Sequence, residues 1–182
     1  GNAARYDGTP SGTTPAVDLI NLVVNPNSVL ELTAKLRVAT QGGFIFDRYD
    51  ADRFKFVTIS AGKITLGHHT AKGWFVDSTY NNSTLLKVNT DLTLGLTLKG
   101  TTVNVTINGS QVLSFAYNAL VGDGGFGLMS RSGVTSFDNL TVKSDDASLA
   151  ALTVQSLQGS TGSSDPVSAA DVAGIAAAAD HA

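Results

Sequence analysis

The sequence predicts an all-β chain, an antiparallel β-sandwich followed by a linker and a short alanine-rich helix. Three observations predict it. Leu92, Leu94, Leu96 and Leu98 alternate with Thr93, Gly95, Thr97 and Lys99, which on a period of two puts leucine on one face and small or polar groups on the other. Turn signals recur between such runs, the clearest being Asn108-Gly109, a pair that tolerates positive φ at both central positions of a type I′ turn. Some ten or more short strands can be marked at the spacing of a sandwich, and none of the chain before residue 145 needs a helix.

Taken in order, residues 17–23 and 29–38 are the first strand candidates, separated by Asn25-Pro26-Asn27-Ser28. Gly42-Gly43 opens Phe44-Ile45-Phe46. The run Phe54-Lys55-Phe56-Val57-Thr58-Ile59 turns at Ala61-Gly62 into Lys63-Ile64-Thr65-Leu66-Gly67, a hairpin. Trp74-Phe75-Val76 follows Gly73. Residues 92–98, 102–107 and 112–115 form a three-stranded meander through Gly100 and Asn108-Gly109, and Gly124 to Met129 precedes a last strand over 134–142.

After Lys143 the composition changes. An apolar piece at Leu149, Leu152, Val154 and Leu157 leads to Gly159-Ser160-Thr161-Gly162-Ser163-Ser164, a flexible linker. Asp165-Pro166 has the form of an N-cap with proline at the first helical position, and the alanine run to Ala179 favours helix. The expected organisation is a sandwich over 1–146, an extra strand or linker over 147–164, and a helical tail over 165–182.

With 182 residues and 42% hydrophobic content, the chain can bury one sizeable core. Its net charge of −3 comes without a Lys/Arg cluster, so no nucleic-acid partner is expected. No apolar run reaches the roughly 20 residues that span a bilayer, and no charged-then-apolar signal opens the chain, which reads as mature or excised. The lack of cysteine rules out disulfides and thiolate metal sites, and with abundant Thr, Asn, Ser and Gly it suits a secreted bacterial surface protein. The sequons at Asn81, Asn82, Asn104, Asn108 and Asn139 are the kind a Thr- and Asn-rich chain generates by chance.

Gly43-Phe44-Ile45-Phe46, Phe54-Lys55-Phe56-Val57, the run from Gly67 to Asp77, Val105-Thr106-Ile107-Asn108-Gly109, Gly125-Phe126-Gly127-Leu128 and Phe137-Asp138-Asn139 follow one another in an order that resembles the concanavalin A-like, laminin-G-like jelly-roll modules of large secreted bacterial surface proteins. The resemblance covers about residues 5 to 143. It implies a jelly roll whose opening strand, an Asp-rich, Trp-containing phrase ahead of an Arg-Tyr like Arg5-Tyr6, is missing here or is replaced in pairing by residues 147–157.

That fold hosts lectins, hydrolases, adhesins and spacers, so function rests on sites. A glycosidase needs two suitably spaced carboxyl groups. The chain has a single glutamate, Glu31, and lacks the Glu-x-Asp-x-x-Glu style strand of the laminarinase-type relatives, so no catalysis is expected. His68 and His69 are neighbours on a strand and face opposite ways, which disfavours a two-His chelate; one packed and one solvated imidazole is expected. Gly122-Asp123-Gly124-Gly125 reads as a turn. Calcium is the expected cofactor if there is one, held by Asp47, Asp50 and Asp52 in a rim loop, although solvated turn charges explain the same residues. Asp138 reads as an acceptor for backbone N–H groups that fix the last strand. A sugar site would use Trp74, Tyr49 or Tyr80 as aromatic platform beside Asp77 and Asn81, with Trp74 as a core residue being the other reading. The expected function is a non-catalytic carbohydrate-binding or adhesion module of a secreted or cell-surface protein, its partners glycans or neighbouring modules. The alternative is a spacer or self-assembly unit that associates through strand edges or its tail.

Overall fold

The computed structural model describes residues 5–147 and Leu149. Its twelve strands form two six-stranded antiparallel sheets that face each other. The first sheet runs β1 (Arg5–Gly8), β12 (Thr135–Ser144), β3 (Leu30–Val38), β8 (Asp91–Lys99), β9 (Thr102–Ile107) and β10 (Ser110–Ala116). The second runs β2 (Ala16–Ile20), β11 (Gly125–Ser132), β4 (Gln41–Arg48), β5 (Phe54–Ser60), β6 (Lys63–Thr70) and β7 (Gly73–Asn81).

The alternation that marked the strands also makes the core. Leu92, Leu94, Leu96 and Leu98 all face inward and are buried, opposite Phe44, Val57, Ile59, Ile64 and Leu66 of the other sheet. The β8–β9–β10 meander forms as read, with Gly100 at φ +60° and both Asn108 and Gly109 at positive φ. Asn108 closes its turn on β8, donating its N–H to Thr93 O at 2.8 Å and accepting the Thr93 N–H on Oδ1 at 2.9 Å. Asp138 accepts the Asn139 N–H at 2.9 Å, where two residues of β12 oppose one of β3 and Asn139 takes φ +53°; it is a bulge-fixing acceptor, as its place in the strand suggested.

One expectation needs correction. The strand over 17–23 ends at Ile20, and Val23 lies 88% exposed. Arg5-Tyr6 itself lies on β1, which pairs with β12 from Thr135 to Asp138; beyond Asp138, β12 has β3 as its strand neighbour among the described residues. The extra strand or linker over 147–164 and the helix over 165–182 lie outside the described residues, except Ala147 and Leu149. Leu149 is buried in the core and its N–H donates to Asp146 O.

A second, smaller apolar cluster lies on the outward face of the second sheet. Ile45, Phe54, Phe56 and Met129 are buried there, with Val17, Leu19 and Trp74 packed against them.

Candidate functional site

The inward face of the second sheet changes character in one step. Phe44, Val57 and Leu66 pair side by side as an apolar row; the next row along is Phe46, Lys55 and His68. The strands thus carry a cation and an imidazole into the gap between the sheets, at positions where the alternation had so far placed valine and leucine. The gap stays open there, as a cleft of about 630 Å³ lined from one sheet by Asp47, Lys55, His68 and Asp77 and from the other by Phe115 and Tyr117 of the β10 end.

Both acids sit in bulges. Between the pairs Gly125–Arg48 and Gly127–Ile45, β4 has two residues, Phe46 and Asp47, against one of β11. Asp47 there takes φ +49°, a left-handed conformation that asparagine and aspartate tolerate better than other L-residues. Gly124 leaves it room, since a Cβ at that position would lie 2.9 Å from Asp47 Cα. Asp77 is the extra residue of β7 between Leu66–Ser78 and Gly67–Val76. Bulges re-aim side chains, and here they bring two carboxyls to one cleft.

The polar groups form two linked sets. Asp77 accepts the Tyr117 hydroxyl on Oδ2 at 2.7 Å and the His68 Nδ1–H at 2.8 Å on Oδ1 and 3.0 Å on Oδ2. Burial first, and then the bond to Asp77, hold the Tyr117 phenol well above its ordinary pKa, so it stays a donor. Asp47 is only 3% exposed and accepts the Lys55 ammonium on Oδ2, and that ammonium lies 5.0 Å from the centre of the Tyr117 ring. Asp47 Oδ1 has no hydrogen-bond partner among the described residues. The Tyr49 hydroxyl is committed to Asp123 Oδ1 at 2.6 Å. Burial pushes the Asp47 carboxyl up; Lys55 opposes this and the neighbouring Asp123 carboxyl adds to it. Asp123 is held down, chiefly by the Tyr49 hydroxyl.

Of the residues singled out from sequence, Tyr49, Asp77 and Asp47 line this cleft. The others do not. Trp74 belongs to the outward cluster, edge-on to Phe54 and Phe56 at 5.5 and 5.1 Å, so the core reading was nearer, in a second core. Tyr80 packs on the main core, its hydroxyl accepting from Asn82 Nδ2 at 3.1 Å, and Asn81 is exposed opposite Lys63. The three aspartates expected to hold calcium are not brought together. Asp50 is occupied by the Asp52 and Arg53 N–H groups and the Arg53 guanidinium, Asp52 is exposed, and only Asp47 points to the cleft. No group of three His, Asp or Glu side chains placed to hold a metal occurs among the described residues.

His68 and His69 diverge as expected. His68 turns to Asp77, while His69 stacks on Phe54 and donates its Nδ1–H to Asp52 O at 2.9 Å. Lys55, His68, Tyr117 and Asp123 were missed as site residues. Lys55 had a legible signal, a cation at the parity of Val57 and Ile59 in a strand otherwise apolar on that face. Tyr117 and Asp123 lie in loops, where periodicity says nothing about direction.

No protein-family model and no curated protein matches the chain. Solved structures do. A carbohydrate-binding module, CBM66, from Bacillus subtilis superposes with a TM-score of 0.60 at 15% identity, over 78% of this chain and 91% of that one. Sheep galectin-11, in complex with glycerol, gives 0.53 at 8% identity over 72% and 99%. A toad ovary galectin in complex with thio-digalactose gives 0.50 at 12% over 78% and 99%. The fold is therefore a jelly-roll sandwich of the concanavalin A-like and galectin type.

Proposed function

We propose that the chain is a non-catalytic carbohydrate-binding module of an exported protein, and that the cleft between β7 and β10 holds the sugar. The observation that carries this reading is Asp77, a carboxylate that the bulge of β7 aims into the cleft, where it meets the Tyr117 hydroxyl and His68. Around it the cleft offers what a sugar requires: acceptors at Asp47 and Asp77, donors at Lys55 and Arg53, and aromatic surface at Phe115, Tyr117 and Tyr49 for the C–H face. Glu31, the lone glutamate, lies exposed on β3 of the other sheet. The names of the CBM66 module and the galectins support the ligand class.

The test is a glycan-array screen of the purified chain, followed by calorimetry of the best hit with calcium and with chelator. Asp47→Asn and Tyr117→Ala should each weaken binding tenfold or more, about 1.4 kcal/mol. Calcium dependence would revive the metal expectation at Asp47. A blank array from a folded sample would refute the sugar reading and favour the assembly unit.

A further inference from the structure

Lys55 and Asp47 bring an amine and a carboxyl into contact inside the fold. Their strands pair with Phe44 beside Val57 and Phe46 beside Lys55 on the inward face. By strict alternation Asp47, one residue after Phe46, would face outward and away from Lys55. The bulge at Asp47, with its φ of +49°, turns the side chain inward instead, where the Lys55 ammonium meets Oδ2 and the carboxyl is almost wholly buried. A third group is fixed beside them. Gly124 packs on the Asp47 backbone so closely that a Cβ there would lie 2.5 Å from Asp47 C, and the residue before it, Asp123, adds a second carboxyl next to the first. The Tyr49 hydroxyl, donating to Asp123 Oδ1 at 2.6 Å, holds that carboxyl in place.

These are the parts of an amide condensation: a nucleophilic nitrogen, an electrophilic carbon and a group that carries protons between them. Burial disfavours the charged form of both partners, and the proton that Lys55 must give up has a place to go, since two neighbouring carboxyls hold one proton between them. The neutral Nζ then attacks Asp47 Cγ. The Nζ–Cγ bond forms and one Cγ–O bond breaks; two of the three ammonium hydrogens leave with that oxygen as water, passed to it by Asp123. Nothing is oxidised or reduced. In free solution water opposes such a condensation, but well-oriented groups held in contact reach effective concentrations of about 10⁵–10⁸ M. The reaction starts from the minor, neutral form of the pair, so folding comes first. Freshly folded protein holds the ion pair, and the amide accumulates from it.

We propose that Lys55 and Asp47 form a self-modification site, which condenses in the folded chain to an isopeptide bond between Nζ and Cγ, with Asp123 carrying the protons. The bond ties β4 to β5 across the rim segment 49–53, from which Tyr49 and Arg53 reach the cleft wall. It does not depend on what the cleft binds.

The test is the intact mass of the whole chain, taken directly after refolding from urea and then over weeks at physiological temperature. The expected result is a species lighter by one water that accumulates as a first-order process, at a rate independent of protein concentration, and does not form in urea. Trypsin should then release residues 38–48 and 54–63 as one joined peptide, uncut at Lys55, which separates the cross-link from a dehydrated aspartate elsewhere. Lys55→Met and Lys55→Arg should both keep the full mass; the arginine variant retains a cation for Asp47, so a folded sample without the nucleophile is available, checked by circular dichroism. Asp123→Asn should slow the loss of water at least tenfold. A folded chain that keeps its full mass throughout, water loss undiminished in the folded Lys55→Arg variant, or a lighter species that yields no joined peptide would overturn the proposal, and an unchanged rate in Asp123→Asn would overturn the part given to Asp123.

Discussion

Replacing Lys55 by methionine should turn the Asp47 carboxylate from a paired group into a stranded one. The side chain of Asp47 is 2% exposed and already has one oxygen without a partner; Lys55 holds the other. Methionine keeps most of the lysine stem, so the apolar contact with Tyr117 is largely retained and the change is mainly electrostatic. Removing one partner of a buried ion pair costs about 3–5 kcal/mol. The Lys55 side chain is 20% exposed, which argues for the lower end, about 3 kcal/mol at pH 7. Asp47 is already pushed toward its neutral form by burial, and losing the ammonium pushes it further. At a pH low enough to protonate it, the loss should therefore shrink to about 1 kcal/mol, that of one neutral hydrogen bond. Urea unfolding followed by Trp74 emission, at pH 7 and near pH 4, measures both numbers. Asp47→Asn in the same chain removes the stranded charge and tolerates the positive φ, and should recover most of the loss. A loss equal at the two pH values, or no recovery in the double variant, would show that the carboxylate is not what Lys55 stabilises.

Two further outcomes follow from local geometry. Asp91, held below the usual carboxylate range by Arg37 and then Lys35, and Asp50, held there mainly by Arg53, have folded pKa values under their unfolded ones; their contribution is present above about pH 4 and fades as pH falls through the folded values. Asp47 has the opposite sign, so its share declines as pH rises. Urea midpoints between pH 6 and 2.5 should fall toward acid, and less steeply in Asp91→Asn; an identical slope in that variant would remove Asp91 from the account. Asn108→Ala should lose about 2 kcal/mol, roughly 1 for alanine at positive φ and roughly 1 for the bond from Thr93; Asn108→Gly should lose about half of that, by the same unfolding assay.

The meander was legible because its two faces differ in chemistry and its turns demand particular residues. Leucine against threonine on β8 fixes which face is buried, and Asn108-Gly109 fixes the hairpin register. β1 was not legible: Arg5, Asp7 and Gly8 show no apolar alternation around Tyr6, and the strand exists because β12 offers it an edge. The fate of Trp74 was hidden for a related reason. A tryptophan on a strand of a sandwich is assigned to the one core that alternation defines, whereas here the outward face carries a second cluster, seen only once Phe54, Phe56 and Met129 are known to share it. The aspartates divided on backbone, not composition. Asp50 is consumed by its own turn, while the bulges that aim Asp47 and Asp77 are set by the register of β11 and β6, which no local signal near either residue encodes.

The cleft and the outward face are written by the same strands in alternate residues. On β5, Lys55 faces the cleft while Phe54 and Phe56 floor the outward cluster; on β6, His68 bonds Asp77 while His69 stacks toward Trp74. A period of two therefore separates two chemistries across the thickness of one sheet, and a substitution at one parity leaves the other face its side chains. The separation is not complete, since Phe54 and His69 also reach the cleft wall. Phe54 stacks on His69 at 5.0 Å, and His69 meets Trp74 edge-on at 4.6 Å. If the two faces are energetically linked, Phe54 and His69 are a contact through which it happens, because both line the cleft and both pack on Trp74. Phe54→Leu would then change the response of Trp74 to a ligand in the cleft, whereas Thr58→Val, on the same face but away from the cleft wall, would not.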